Sequence, residues 1–245
     1  IVLALVAAGV IALMMRPGAN LRAEFDKRRL ALTSGGESAV LTEKDIAHLP
    51  SSVQKYISKA GAVGKPRVTM VHAIFEATLF SAPGSPGMSG QAHQIDVIEP
   101  PRRLFFMQTR MFGLPVAVLH DYDGDRATMR VRLARLFDVV NISGPQLSKA
   151  ETVTILNDIA AFAPSALAGP KFTWKAVDDS QAEVTFHNGA YAVSAVLKFD
   201  SQGDLIDFHS SDRGVLQKDG TLKILPWSTP LSEYREFGGR RAPAK

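Results

Sequence analysis

Cysteine is absent from this chain of 245 residues. That excludes disulfides, thiolate zinc sites, a cysteine nucleophile and lipid attachment to an N-terminal Cys. A basic stripe interleaved with aromatics is missing too. The net charge is only +4 and both signs are spread along the chain, so nucleic acid is not an expected partner. His48, His72, His93, His120, His187 and His209 form no close pair and no H-E-x-x-H, so no metal is expected. There is no P-loop and no G-x-G-x-x-G, which leaves no cofactor to expect. Ser85 and Ser89 lie in "APGSPGMSGQ", but no G-x-S-x-G elbow presents a nucleophilic serine. "DYDGDRATMRVR" alternates Asp121, Asp123 and Asp125 as a calcium loop does. Arg126 and Arg132 then occupy the positions that need a glycine and an acid. The stretch reads as a hairpin turn at Asp123-Gly124.

Apolar residues make up 46% of the chain, enough for a sizeable core. The first fifteen residues, "IVLALVAAGVIALMM", are uniformly apolar. A spanning helix needs about 20 such residues. The chain starts with Ile and no small-residue cleavage site follows, so residues 1–15 read as a truncated transmembrane anchor. Residues 16–41 read as a basic juxtamembrane segment, with Arg16, Arg22, Lys27, Arg28 and Arg29, and the flexible linker "TSGGES". By the positive-inside rule alone, that run would put the following domain in the cytoplasm.

Residues 42–61 read as a helical lead-in. Thr42 can cap a helix starting at Glu43, Pro50 interrupts it, and Val53, Tyr56, Ile57 and Ala60 form a stripe ended by Gly61. Beyond Arg67 the period becomes two. "RVTMVHAIFEATLF", "GQAHQIDVI", "RRLFFMQTRM", "LPVAVLHDY" and "RATMRVRLARLF" read as strands separated by turn residues. "KFTWKAV", "AEVTFH", "YAVSAVLKF" and "LIDFHSS" form a second run. Between the runs lies "SKAETVTILNDIAAFAPSAL". Ser148 and Glu151 are spaced as a capping box, and Val153, Leu156, Ala160 and Ala163 share a helical face.

The order implies an α+β fold. A long, curved, mainly antiparallel β-sheet resembling a half-barrel would span 62–245, with a helix over 148–163 covering its concave face. Glu151 and Asp158 lie two turns apart, about 10 Å along the axis, too far for a retaining glycosidase pair. The expectation is a capping role for Glu151 and pairing of Asp158 with a sheet arginine such as Arg130 or Arg132. Large, soft apolar residues, Phe105, Met107, Met111, Met129, Leu156, Tyr191 and Phe199, are the candidate ligand-binding set; the same residues would equally serve a packed core.

The stretch "RMFGLPVAVLHDYDGDRATMRVRLARLFDVVNISGPQLSKAETVTILNDIAAFAPSAL", with "TFHNGAYAVSAVLKFDSQGDLIDFHSSDR" and "WSTPLSEYREFGGRR", resembles an uncharacterised bacterial family known only as a domain of unknown function. The resemblance covers roughly residues 70–241. The family's "GSPW" turn is Gly84-Ser85-Pro86-Gly87 here. Members usually continue with further strand sequence, which implies a C-terminus cut short at "RRAPAK". The layout is similar to the half-barrels of LolA-like and LppX-like envelope proteins, a likeness of fold alone. It implies a membrane-anchored, extracytoplasmic module that binds an apolar, lipid-like ligand or lipidated partner without catalysis. Two alternatives stand beside it: a hydrolase-type enzyme using Glu151 and Asp158 with sheet arginines or His120, and a purely structural envelope protein.

Overall fold

The structure, a computed structural model, describes residues 20–33, 38–80, 82–217 and 221–245. Its strands form two separate open sheets, both antiparallel. The first is a meander of β1 (Met70–Leu79), β2 (Met88–Val97), β3 (Arg102–Met111), β4 (Leu114–Asp123), β5 (Arg126–Leu133) and β6 (Phe137–Ser143), in that order. The second contains β7 (Phe172–Asp178), β8 (Gln181–Asn188), β9 (Tyr191–Phe199), β10 (Leu205–Ser210) and β13 (Trp227–Pro230), with β13 beside β10. Small hairpins β11–β12 (Gly214–Leu216, Leu222–Ile224) and β14–β15 (Arg235–Phe237, Arg240–Ala242) complete the strands.

Among the described residues, four α-helices decorate these sheets: α1 (Leu21–Ala31), α2 (Glu43–Ile46), α3 (Ser51–Lys59) and α4 (Pro145–Phe162). Thr42 forms a capping box with Asp45 at the start of α2. Pro50 stands at the α3 N-cap, and Val53, Tyr56, Ile57 and Ala60 are all buried. The expected stripe there packs into the main core, where Tyr56 donates from its hydroxyl to the Ala160 carbonyl at 2.7 Å.

The long curved half-barrel is not what forms. Neither sheet closes or curves strongly, and the helix lies between the two rather than over the hollow of one. The reason is in α4 itself. Twelve of its 18 residues are buried, on all sides, so it needs a sheet on each flank. It packs on β5 and β6 one way and on β9, β10 and β11 the other. Val153, Leu156 and Ala160 join the core shared with Val184, Phe186, Val193, Leu197 and Phe208. Burial of Leu156 alone contributes roughly 2 kcal/mol.

The helix also starts earlier than a Ser148 cap would allow. Pro145 occupies its first turn, where a missing N–H costs nothing, and Gly144 precedes it at φ 118. Ser148, freed from capping, accepts the Ala127 N–H at 3.0 Å and ties α4 to β5.

The expected membrane attachment fares no better. The anchor expected over 1–15 and most of the "TSGGES" linker lie outside the described residues. Among the described residues, no helix is long and apolar enough to cross a membrane. The membrane tether, the membrane as partner and the extracytoplasmic placement built on it therefore find no support among the described residues. Arginines expected to flank a membrane instead hold protein. Arg28 pairs with Asp121, and Glu24 pairs with both Arg28 and Arg130 as α1 packs on the first sheet. Leu21 and Phe25 of α1 are buried against Ile95, Leu104, Phe106 and Leu119.

Candidate functional site

Strand register decides what α4 meets on the first sheet. Arg103 pairs with Asp96 on one side and Tyr122 on the other, while Phe105 pairs with Gln94 and His120. Side chains alternate along a strand, so Gln94, Asp96, Arg103, Phe105, His120 and Tyr122 share one face. That face is covered by α4, on which Glu151 and Asp158 stand two turns apart on one side.

Arg103 is the centre, with only 8% of its surface exposed. It donates from Nε to Asp158 Oδ2 at 2.7 Å, from Nη1 to Glu151 Oε2 at 3.3 Å and from Nη2 to Gln94 Oε1 at 3.0 Å. Gln94 turns its amide to Asp96 Oδ2 at 2.7 Å. Asp96 Oδ1 is buried without a hydrogen-bond partner, 4.0 Å from Arg103 Nε. On the outer side, His120 Nδ1 lies 3.6 Å from Glu151 Oε1. This nitrogen is also buried without a hydrogen-bond partner. Arg213 places Nη2 3.9 Å from the same Glu151 oxygen, donates from Nε to Thr154 Oγ1 at 3.3 Å and stacks 3.8 Å over Trp227.

Three carboxyls crowded around one guanidinium cannot share the same protonation behaviour. Burial pushes Glu151 up, but the adjoining His120 ring and the charges of Arg103 and Arg213 overcome it and hold Glu151 down at about 2. Burial pushes Asp96 well above the carboxylate range, and the charge of Asp158 adds to this, against Arg103 and Gln94. Asp158 is also raised, by burial, with Arg103 opposing. Burial lowers Arg213, whereas Arg103 is raised because Asp158, Glu151 and Asp96 outweigh its own burial. The site thus sets a carboxylate held low at Glu151 beside two carboxyls, Asp96 and Asp158, that burial pushes up. Such divergence marks separate acid and base roles where a site is catalytic. His120 and Arg213 are its outlets, each with 17% of the side chain exposed.

The chain belongs to DUF6544, a family of unknown function whose model matches residues 39–245. No curated protein and no solved structure matches it. The likeness to LolA-like and LppX-like half-barrels consequently has neither sequence nor structural support.

The two acidic residues singled out from this DUF6544 sequence do come together, but through Arg103. Arg130 and Arg132 point to the opposite face, where they pair with Glu24 and Asp138. Glu151 does no capping, since the helix starts six residues before it. The seven apolar candidates do not converge. Met129, Leu156 and Phe199 belong to the main core. Met107 is buried in a separate small cluster with Phe105 at its border. Met111 sits half-buried at the far end of β3 and Tyr191 half-buried at the start of β9. The apolar-ligand reading is replaced by the ion network as the feature to explain. Among the described residues, no group of three or more His, Asp or Glu is placed to hold a metal ion.

Arg103, Asp96, Gln94 and Arg213 were missed in the sequence. A signal existed for the first three. In "QAHQIDVI", Ala92, Gln94 and Asp96 alternate with Ile95 and Val97, so one face of a central strand carries two polar residues. A cation on the neighbouring strand is the usual answer to that pattern.

Proposed function

We propose that this protein is a hydrolase-type enzyme in which His120 is the general base and Glu151 orients it. The observation that carries this reading is the buried, otherwise unpaired Nδ1 of His120 at 3.6 Å from Glu151. With its proton on Nδ1 facing the glutamate, the ring leaves Nε2 for a reacting water. Nε2 takes the water's proton as the water oxygen attacks an electrophilic carbon. The ionised Glu151 stabilises the resulting imidazolium, and Nε2 returns the proton to the leaving group. Arg213, held by its stack on Trp227, stands beside this pair and is the cation suited to charge developing on the substrate oxygen. Phe105, edge-on to His120 at 5.8 Å between ring centres, and Met129, its register neighbour on β5, flank the ring with apolar surface.

The test is hydrolysis of a panel of chromogenic esters and amides by wild type and His120→Asn. The variant is expected to lose on the order of 100-fold or more in kcat/KM, while still melting as a cooperatively folded protein. A second reading, that the network is purely structural, is favoured by one observation: Arg103 ties β2, β3 and α4 through three buried side-chain bonds. Turnover no faster than buffer across the panel, or equal rates for His120→Asn, would decide for that second reading.

A further inference from the structure

A different cavity lies on the opposite face of the first sheet. It is a cleft of about 440 Å³ bounded by the start of α1, the β3–β4 hairpin and the β5–β6 turn. That volume suits a small molecule. Its lining includes Arg110, Arg132 and Arg135 with the polar side chains of Gln108, Ser89 and Asn20, and no carboxylate. Arg132 is committed to Asp138, with Nε 2.6 Å and Nη2 2.7 Å from its oxygens. Arg110 gives Nη1 to the Gly113 carbonyl at 2.9 Å, which steadies it without neutralising it. Positive charge therefore exceeds negative around this cleft. The first turn of the eleven-residue α1 borders it through Leu21, so the helix dipole adds to the same sign.

The turn that delivers Arg135 is the telling part. Leu136 N–H closes it on the Leu133 carbonyl at 3.0 Å, and both central residues are left-handed, Ala134 at φ 52 and Arg135 at φ 61. Such a turn selects Asn-Gly, because side chains with a Cβ are disfavoured there. This chain keeps Ala-Arg. On β2, Gly90 is required by contact alone: a Cβ there would stand 1.9 Å from the Gln108 carbonyl oxygen. The close approach brings Ser89 beside β3, where its carbonyl accepts from Thr109 Oγ1 at 2.7 Å.

We propose that this cleft binds a small molecule through a phosphate or diphosphate group, with Arg135 and Arg110 as its principal cationic contacts. Unfavourable backbone is retained mostly at functional sites, and arginines gathered in a cleft suit a polyanion. The site is separate from the His120–Glu151 pair and does not depend on that pair being catalytic.

The probe is inorganic pyrophosphate, titrated calorimetrically into the full chain at low ionic strength, with sulfate as the comparison anion. Saturable binding is expected, tighter for pyrophosphate than for sulfate and weakening as salt rises. Arg135→Gln and Arg110→Gln should each reduce the pyrophosphate affinity by tenfold or more. The pair Ala134→Asn with Arg135→Gly, which restores the favoured turn, should raise the melting temperature while losing the binding. No saturable binding to wild type, or wild-type affinity in Arg135→Gln, would overturn the proposal.

Discussion

The two faces of the first sheet carry the same ingredients and treat them differently. On one face α1 offers Glu24 to Arg130 and Arg28 to Asp121. On the other α4 offers Glu151 and Asp158 to Arg103. The α1 pairs keep about a fifth or more of each side chain in water, and Glu24 is lowered below its ordinary value, burial being outweighed by Arg130 and Arg28. The α4 carboxyls are sealed, and their affinities for protons are driven apart. The contrast teaches that the chemistry of a helix-to-sheet ion pair is set by what lies above it. A helix with one free side leaves solvent to screen its charges. A helix with a second sheet on its back removes that solvent, and the charges must settle among themselves.

The strongest challenge to this contrast is Arg103→Met. It would strand Asp158 and Glu151 in the interior, with an expected loss of about 3–5 kcal/mol in urea unfolding. If the loss were no larger than that of Arg130→Met on the α1 face, the distinction between the faces would collapse.

Glu151→Gln comes next. A carboxyl held at about 2 against an ordinary value of 4.5 stabilises the fold above the ordinary range, and that contribution is lost as pH falls from about 4.5 toward 2. At neutral pH the substitution should cost on the order of 3 kcal/mol, and acid unfolding should become less steep over this interval.

Asp96→Asn sharpens the comparison with the opposite sign. Asp96 is raised, so its favourable contribution is complete at acid pH and is lost as pH climbs through its raised folded value. Removing the ionisable group should leave stability unchanged at pH 4 and increase it at pH 8, by up to about 1 kcal/mol. A variant less stable than wild type at pH 8 would show that Asp96 is ionised and paired.

Arg130→Met should have the smallest effect, roughly 1 kcal/mol or less, and should matter least at high salt. A melting curve at two salt concentrations suffices to check it.

Much of the secondary structure was legible because it is local. Alternation in "RATMRVRL" separates Met129 and Val131 from Arg130 and Arg132, and the structure keeps that division on β5. The hairpin at residues 123–126 follows from Gly124, which is left-handed there. The Ser148–Glu151 spacing mimics a helix start, whereas α4 begins at Gly144-Pro145, an equally local signal. The site was less legible. Spacing showed that Glu151 and Asp158 share a side of the helix, but no local pattern named their partner. Arg103, Arg130 and Arg132 are equivalent as sequence, since each is an arginine on an alternating strand. Only strand parity relative to α4 distinguishes them.

By itself, then, the sequence determined which segments alternate, which helix is apolar and which acids stand together, because those properties depend on neighbours within a few residues. Tertiary structure alone decided that the strands divide into two sheets with α4 between them, that Arg103 rather than Arg130 meets the acids, and that His120 reaches Glu151. Those outcomes depend on register between β2, β3 and β4 and on the covering of α4 from both sides. The same covering removes the water, and without water the three carboxyls cannot ionise independently.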